Sequence, residues 1–346
     1  MTGRSSESDP LAPAEVQRRL GLCDDDMRWL LSLRRPPGVD VPRLPDRAEA
    51  ETLLQRLGVD IDDRADTLAA RPDPDAHPAL WWVLDRVYHD ILAAMGEPVP
   101  VDGFAGYPSL PESAGAVGRY LPMWVYLALL PAVRRFHDQR AIPESMLWDS
   151  LGDALTGVLR EHRERTGEDG LGRFGWTLPL RFRGVDYRIG RLAYNLGTVS
   201  LGNRPCGYVL GVHIPAGGPL DIDASLSSMG EALAFFERHF PDRPIAWFAC
   251  ESWLMDPQLA EYLDARANIV RFQRLFTILP LVEGMGATDR GDDDMLGYVF
   301  GGAMDALPAG DQLDRLPQGS TLQRAFVRHL RSGRHWHVRT GWRPVR

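Results

Sequence analysis

The stretch from Cys206 to Pro257, CGYVLGVHIPAGGPLDIDASLSSMGEALAFFERHFPDRPIAWFACESWLMDP, constrains the fold more than any other part of the chain. An apolar run over Tyr208–Ile214 reads as a strand. A Gly-Pro loop follows, then a helix to Phe240, for which Ser228 and Glu231 have the S-x-x-E capping-box spacing. Ile245–Ser252 reads as a second strand, mostly apolar and therefore internal to its sheet. Asp256-Pro257, a cap followed by proline, opens a further helix. Polar groups stand at the ends of both strands: His213 on the first, and Cys250, Glu251 and Ser252 on the second. Open α/β sheets bind ligands at such strand ends.

The first half of the chain has a different period. Ala14–Leu20, Asp24–Leu33, Ala48–Leu57, Leu80–Met95, Tyr120–Gln139 and Pro143–Arg165 all read as helices. Trp81, Leu84, Val87, Tyr88 and Leu92 mark one apolar face. The segments around Asp60–Pro78 and Gly96–Gly118 read as loops. The Gly-rich, charged TGEDGLGRFG, residues 166–175, is the natural boundary. Beyond it, Tyr187–Leu196, Leu296–Phe300 and His335–Thr340 read as strands, and Pro317–Leu330 contains a helix. The expected organisation is a disordered leader over 1–13, a helical domain over 14–167 and an α/β (α+β) domain with a mixed sheet over 168–346.

All 39 basic residues are arginine. The lack of lysine excludes a Walker A loop, a kinase-type ATP lysine and a Schiff-base lysine. An anionic cofactor must instead be held by arginine, backbone N–H groups or a helix N-terminus. The formal net charge of −8 argues against nucleic acid as a partner. No uninterrupted apolar run approaches the ~18 residues of a membrane span. Cys23, Cys206 and Cys250 form neither a CxxC pair nor a disulfide ladder, so the chain reads as cytoplasmic and reduced.

Several segments of the second half, namely YRIGRLAYNL, VHIPAGGPL, ERHFP, ACESWLMDPQL, NIVRFQRLF and LPQGSTLQRA, resemble a bacterial family of acyltransferase-domain proteins. In that family a helical N-terminal domain precedes a GNAT-like domain, one similar to GCN5-related N-acetyltransferases. The resemblance extends into the helical half through WVYLALLPAVRRFHDQRAIPESMLWDSLGD. It implies an acyltransferase that takes its acyl group from acyl-CoA, or from the phosphopantetheine thioester of an acyl carrier protein. The acceptor would be a small molecule with an amine or hydroxyl, attacking directly in a ternary complex. The sequence departs from such enzymes at one place. Their pyrophosphate loop opens directly into a helix, whereas here Pro215-Ala216-Gly217-Gly218-Pro219 stands about ten residues before Ser228.

Acyl transfer needs a held thioester, a base for the acceptor proton and donors for the developing oxyanion. Ala216, Gly217 and Gly218 are the candidates for the cofactor loop, because glycine lets a phosphate approach the backbone; an ordinary tight turn is the alternative. His213 and Glu251 are candidate bases, and Ser252 is a proton donor or a cap. Alternation sets Cys250 and Ser252 on one face of their strand and Glu251 on the other. A cysteine-dependent hydrolase or transacylase using Cys250 and His213, and a non-catalytic binding protein, are the competing readings. Weaker features are His335-Trp336-His337, two imidazoles on one strand face without further ligands, so that no metal is expected. Asp292-Asp293-Asp294 reads as a solvated hairpin tip. Arg188 and Arg191 read as opposite faces of one strand, where the alternatives are a phosphate contact by one of them and, ahead of it, surface pairing with carboxylates.

Overall fold

The structure is a computed structural model that describes residues 11–36, 41–100, 106–107, 109–171, 174–201, 204–280, 291–301 and 307–345. Residues 1–10 of the expected leader lie outside these. The chain divides into two units. One comprises Met1–Glu97, Phe104–Arg163 and Gly167–Tyr187. The other comprises Pro98–Gly103, Glu164–Thr166 and Arg188–Arg346. The helical unit thus runs on to Tyr187, past the Gly-rich segment.

The helical unit contains α1 (Pro13–Leu20), α2 (Asp24–Ser32), α3 (Arg47–Arg56), α4 (Ile61–Ala69), α5 (Pro78–Ala93), α6 (Gly115–Gln139), α7 (Glu144–Thr166) and α8 (Thr177–Phe182). Aspartates start α3 and α4: Asp46 accepts from the Glu49 N–H, and Asp60 from the Asp63 N–H. α4 lies inside the segment that reads as loop-rich; its first turn is acidic, and Thr67 and Leu68 are buried. α6 is the centre of the unit, with Leu121, Trp124, Val125, Leu129 and Val133 inaccessible to solvent. Glu112–Gln139 is long and apolar enough to cross a membrane, yet 78% of its apolar window is buried within the protein. That burial identifies it as a core helix.

The second unit is built on a mixed sheet of β1 (Val99–Pro100), β2 (Asp186–Ile189), β3 (Leu192–Leu201), β4 (Arg204–His213), β5 (Ile245–Ser252), β6 (Thr277–Ile278) and β7 (Arg339–Pro344). Its order is β1-β3-β4-β5-β7-β6, and β2 pairs with β3. β4 and β5 are parallel neighbours joined through α9 (Ile222–His239). They are flanked by antiparallel β3 and β7. α10 (Asn268–Gln273), α11 (Gly291–Phe300) and α12 (Thr321–Arg331) complete the unit. Trp253, Leu259, Met295, Phe326 and Trp336 form a satellite core beyond the end of β5.

Three local readings are corrected. Leu296–Phe300 belongs to α11, not to a strand. Asp292–Asp294 form its acidic first turn, and Met295, Leu296, Val299 and Phe300 join the satellite core at helical spacing. The final strand is Arg339–Pro344, and His335 instead bonds Asp292 at 2.6 Å. α9 begins at Ile222, capped by Asp221, which accepts from the Ala224 N–H at 2.9 Å.

Ser228 is therefore no cap but a buried mid-helix hydroxyl. It donates to the Ile189 carbonyl and accepts from the Leu192 N–H at 3.2 Å and from the Tyr194 hydroxyl at 2.8 Å. One donor and two lone pairs are all in use. This single oxygen ties α9 to the β2–β3 turn. Ser228→Ala strands buried polar partners and is expected to cost about 2 kcal/mol or more, read as a lower urea midpoint at unchanged m-value.

Candidate functional site

The β4–β5 ladder stops before its strands do. The last parallel partners are Gly211 and Ala249. β4 continues to His213, opposite Ala193 of β3, and β5 continues to Ser252, opposite Arg339 of β7. Past Gly211 and Ala249 the β4–β5 pairing ends, while β3 and β7 go on holding the two strands from their outer sides. A ligand with peptide-like groups can pair with strand backbone at such a point as an added strand does.

Register sorts the side chains into two faces. Tyr194 is opposite Val212, and its contact with Ser228 shows that α9 covers that face. Asn195, opposite Gly211, and His213, opposite Ala193, lie on the other face. Parallel partners share a face, so Ala249 sits with Gly211. Alternation then assigns Glu251 to the face of His213 and Cys250 to the α9 face. Glu251 is exposed and Cys250 is buried at 1%.

His213 is oriented by Asn195. Its Nε2 lies 2.7 Å from the Asn195 Oδ1, which only accepts, so Nε2 carries the proton and Nδ1 is the basic nitrogen of the neutral ring. Asn195 reaches the histidine by crossing directly over Gly211. A Cβ at 211 would lie 2.1 Å from the Asn195 Oδ1. Glycine there is the steric condition for the pair. Asn195 was not among the candidates from sequence; only the hairpin register of β3 and β4 reveals it.

Cys250 is unsuited to nucleophilic work. Burial, and secondarily the Glu251 charge, push its thiol up to about 12, whereas a nucleophile needs the thiolate near neutrality. It also points away from the His213 face, so no Cys–His pair forms. Ser252 accepts from the Leu254 N–H at 3.1 Å and caps a short 3₁₀ turn, Trp253–Met255. Asp256 is likewise a cap, and also accepts from the His337 N–H at 2.8 Å.

The loop after β4 is compact. Only Pro219, Leu220 and Asp221 separate Gly218 from the first residue of α9, so the loop opens into a helix after all. Ala216, Gly217 and Gly218 are exposed, and Gly217 and Gly218 have φ of +96° and +74°. Arg191, in the β2–β3 turn, donates to the carbonyls of Pro215, Gly218 and Pro219 at 3.0, 3.2 and 2.8 Å. Arg188 lies in β2 as the strand reading has it, whereas Arg191 belongs to the turn that follows. Among the described residues, no cluster of three or more His, Cys, Asp or Glu could hold a metal.

A mixed sheet whose central parallel strands are joined by a loop running into a helix, with antiparallel strands on both sides and a histidine at the end of the first, has the arrangement of a GNAT-like acyltransferase fold. Residues 187–343 match the model of the GNAT-like C-terminal domain, and residues 48–184 that of the N-acyltransferase N-terminal domain. Three solved structures are similar over nearly the whole chain. A mutant acyltransferase in complex with octanoyl-CoA is 38% identical, with a TM-score of 0.82, covering 97% of this chain and 100% of its own. An acyltransferase in complex with decanoyl-CoA and teicoplanin is 39% identical, with the same TM-score and coverage. One in complex with CoA and 10C-teicoplanin is 39% identical at a TM-score of 0.81, again covering 97% and 100%. No curated protein matches the sequence. The chain belongs to this family of two-domain acyltransferases.

Gly211→Ala must displace Asn195 and with it the histidine ring. A loss of turnover of about a hundredfold is expected from such a shift, with the circular dichroism spectrum retained. Cys250→Ala is expected to keep full activity. In the native wild type, Cys250 should resist a thiol reagent that modifies the exposed Cys23, and should react only after unfolding.

Proposed function

We propose that the chain transfers a medium-length acyl group from acyl-CoA to an amine of a teicoplanin-type glycopeptide. The observation that carries this reading is the end of the β4–β5 ladder at Gly211 and Ala249, with the Asn195–His213 pair beside it. The acyl-CoA ligands and the glycopeptide of the similar structures support the choice of donor and acceptor.

In this reading the pantetheine arm lies along the ends of β4 and β5 beyond their ladder, and its amides pair with backbone groups of the two strands. The pyrophosphate rests on the N–H groups of the 215–220 loop and the first turn of α9. The acceptor amine attacks the thioester carbonyl: a C–N bond forms, the C–S bond breaks and CoA leaves as the thiolate. Nδ1 of His213 takes the proton that the amine must lose, and the Asn195 carbonyl steadies the resulting imidazolium through Nε2–H. Peptide N–H groups at the strand ends stabilise the oxyanion. Glu251, on the same face, accepts a hydrogen bond from the neutral amine and holds it beside the histidine. No covalent acyl-enzyme is needed, and Cys250 takes no part.

The test is thiol release and acceptor mass gain with a series of acyl-CoAs and a teicoplanin-type amine. An acyl carrier protein charged with the same chain serves as the rival donor. Thiol release that requires the amine, with a matching acyl mass on the glycopeptide, supports the reading; the absence of CoA binding and of turnover across the series overturns it. His213→Ala is expected to lower kcat about a hundredfold or more with little change in the KM for acyl-CoA. Glu251→Gln should act mainly on the KM for the amine.

A further inference from the structure

We propose that Arg191 is a positioning residue for the donor: it turns the 215–220 loop inside out, so that carbonyls face inward and amide N–H groups face the pyrophosphate. This rests on the acyl-CoA reading above and gives Arg191, which the sequence placed on a strand with a direct phosphate contact or surface pairing as alternatives, an indirect role behind the loop.

The physical problem is general. A loop presents both carbonyls and N–H groups, and a carbonyl pointing at a pyrophosphate repels it. The protein must therefore choose which side of each peptide faces the ligand. Here the choice is made from behind. The Arg191 guanidinium collects three carbonyls of one short loop, those of Pro215, Gly218 and Pro219. Among the described residues every peptide bond is trans, and a trans peptide holds its N–H antiparallel to its C=O. The N–H of Ala216 shares a peptide with the Pro215 carbonyl, and the N–H of Leu220 with that of Pro219. Both must point away from the guanidinium. Neither donates to a backbone carbonyl among the described residues. The third peptide, Gly218–Pro219, has no N–H at all, so turning its carbonyl inward sacrifices no donor.

Two further features fit. The clasp needs the loop to double back over the arginine, and the positive φ values of Gly217 and Gly218 supply that bend. A Cβ at either glycine would meet nothing within 4 Å, so the glycines serve the backbone conformation rather than steric room. The charge also matters. α9 begins with Asp221 and Asp223, both exposed, and their carboxylates oppose an incoming anion. Arg191 sets a guanidinium beneath the same loop. Burial and the neighbouring Arg188 lower its pKa, but a guanidinium remains charged at any physiological pH. Lysine could not do this work. Its three donors radiate from one point and cannot span the carbonyls along a planar fork.

The experiment compares two donors with the same acyl group: acyl-CoA, and acyl-pantetheine, which lacks pyrophosphate and nucleotide. In Arg191→Gln the KM for acyl-CoA is expected to rise about tenfold, the worth of one hydrogen bond to a charged group. kcat should stay within about twofold, and the KM for acyl-pantetheine should not move. Arg191→Lys should restore only part of the loss. Gly218→Ala, which strains the loop while leaving the arginine in place, should reproduce the same selective loss. It carries the test if Arg191→Gln fails to fold. A KM for acyl-CoA that does not change, or one that rises equally for both donors, overturns the proposal. A wild-type protein that shows no preference for acyl-CoA over acyl-pantetheine overturns the donor reading itself, before any variant is made.

Discussion

Two parallel strands whose pairing stops before they end are the constraint on which the rest of this protein depends. β4 and β5 pair as far as Gly211 and Ala249, and each then follows its own outer partner, β3 or β7. Each strand end thus keeps a ladder of backbone hydrogen bonds and stays ordered where the β4–β5 ladder stops. His213 and Glu251 stand beyond the end of that ladder, and the loop that follows His213 leads into α9.

The surroundings of this ladder end are held by a few polar contacts, each dependent on a close approach. Ser228 fixes α9 against the β2–β3 turn, and the same turn carries Arg191 to the loop. Asn195 crosses Gly211 to reach His213. These contacts join β3, β4 and α9, and none of them lies within a single element. One face of the sheet is thereby given to packing, with Tyr194 and Cys250. The other carries Asn195, His213 and Glu251, the side chains on which the proposed acyl transfer rests.

Much of this was legible in the chain, and the parts that were not share a cause. The helices α1, α2, α3, α5, α6 and α7, the strand–helix–strand unit and the polar strand ends all follow from period and composition. Ser228 misled because an S-x-x-E spacing looks the same at a helix start and in mid-helix; Asp221, one residue before an apolar Ile222, was the better cap signal. Val299 and Phe300 read as part of a strand because five residues show little periodicity, while the acidic triplet before them already had the character of a helix start. Asn195 carried no signal of any kind, and Arg191 stood out only as one of two arginines on a strand, with a phosphate contact and surface ion pairing as open alternatives. An asparagine in a strand and an arginine after a glycine are ordinary until register and turn geometry are known.

The amino-acid sequence by itself determined the class of architecture, the exclusion of lysine chemistry and the stretch in which the site lies. These depend on residue type and short spacing, which are local properties. Tertiary structure alone decided that Cys250 faces α9 while His213 and Glu251 face the other way, that the β4–β5 ladder ends where it does, and that Arg191 grips the loop. Those facts depend on which strand lies beside which, and in what register. A shift of one residue would exchange the two faces, and no local pattern in the chain records it.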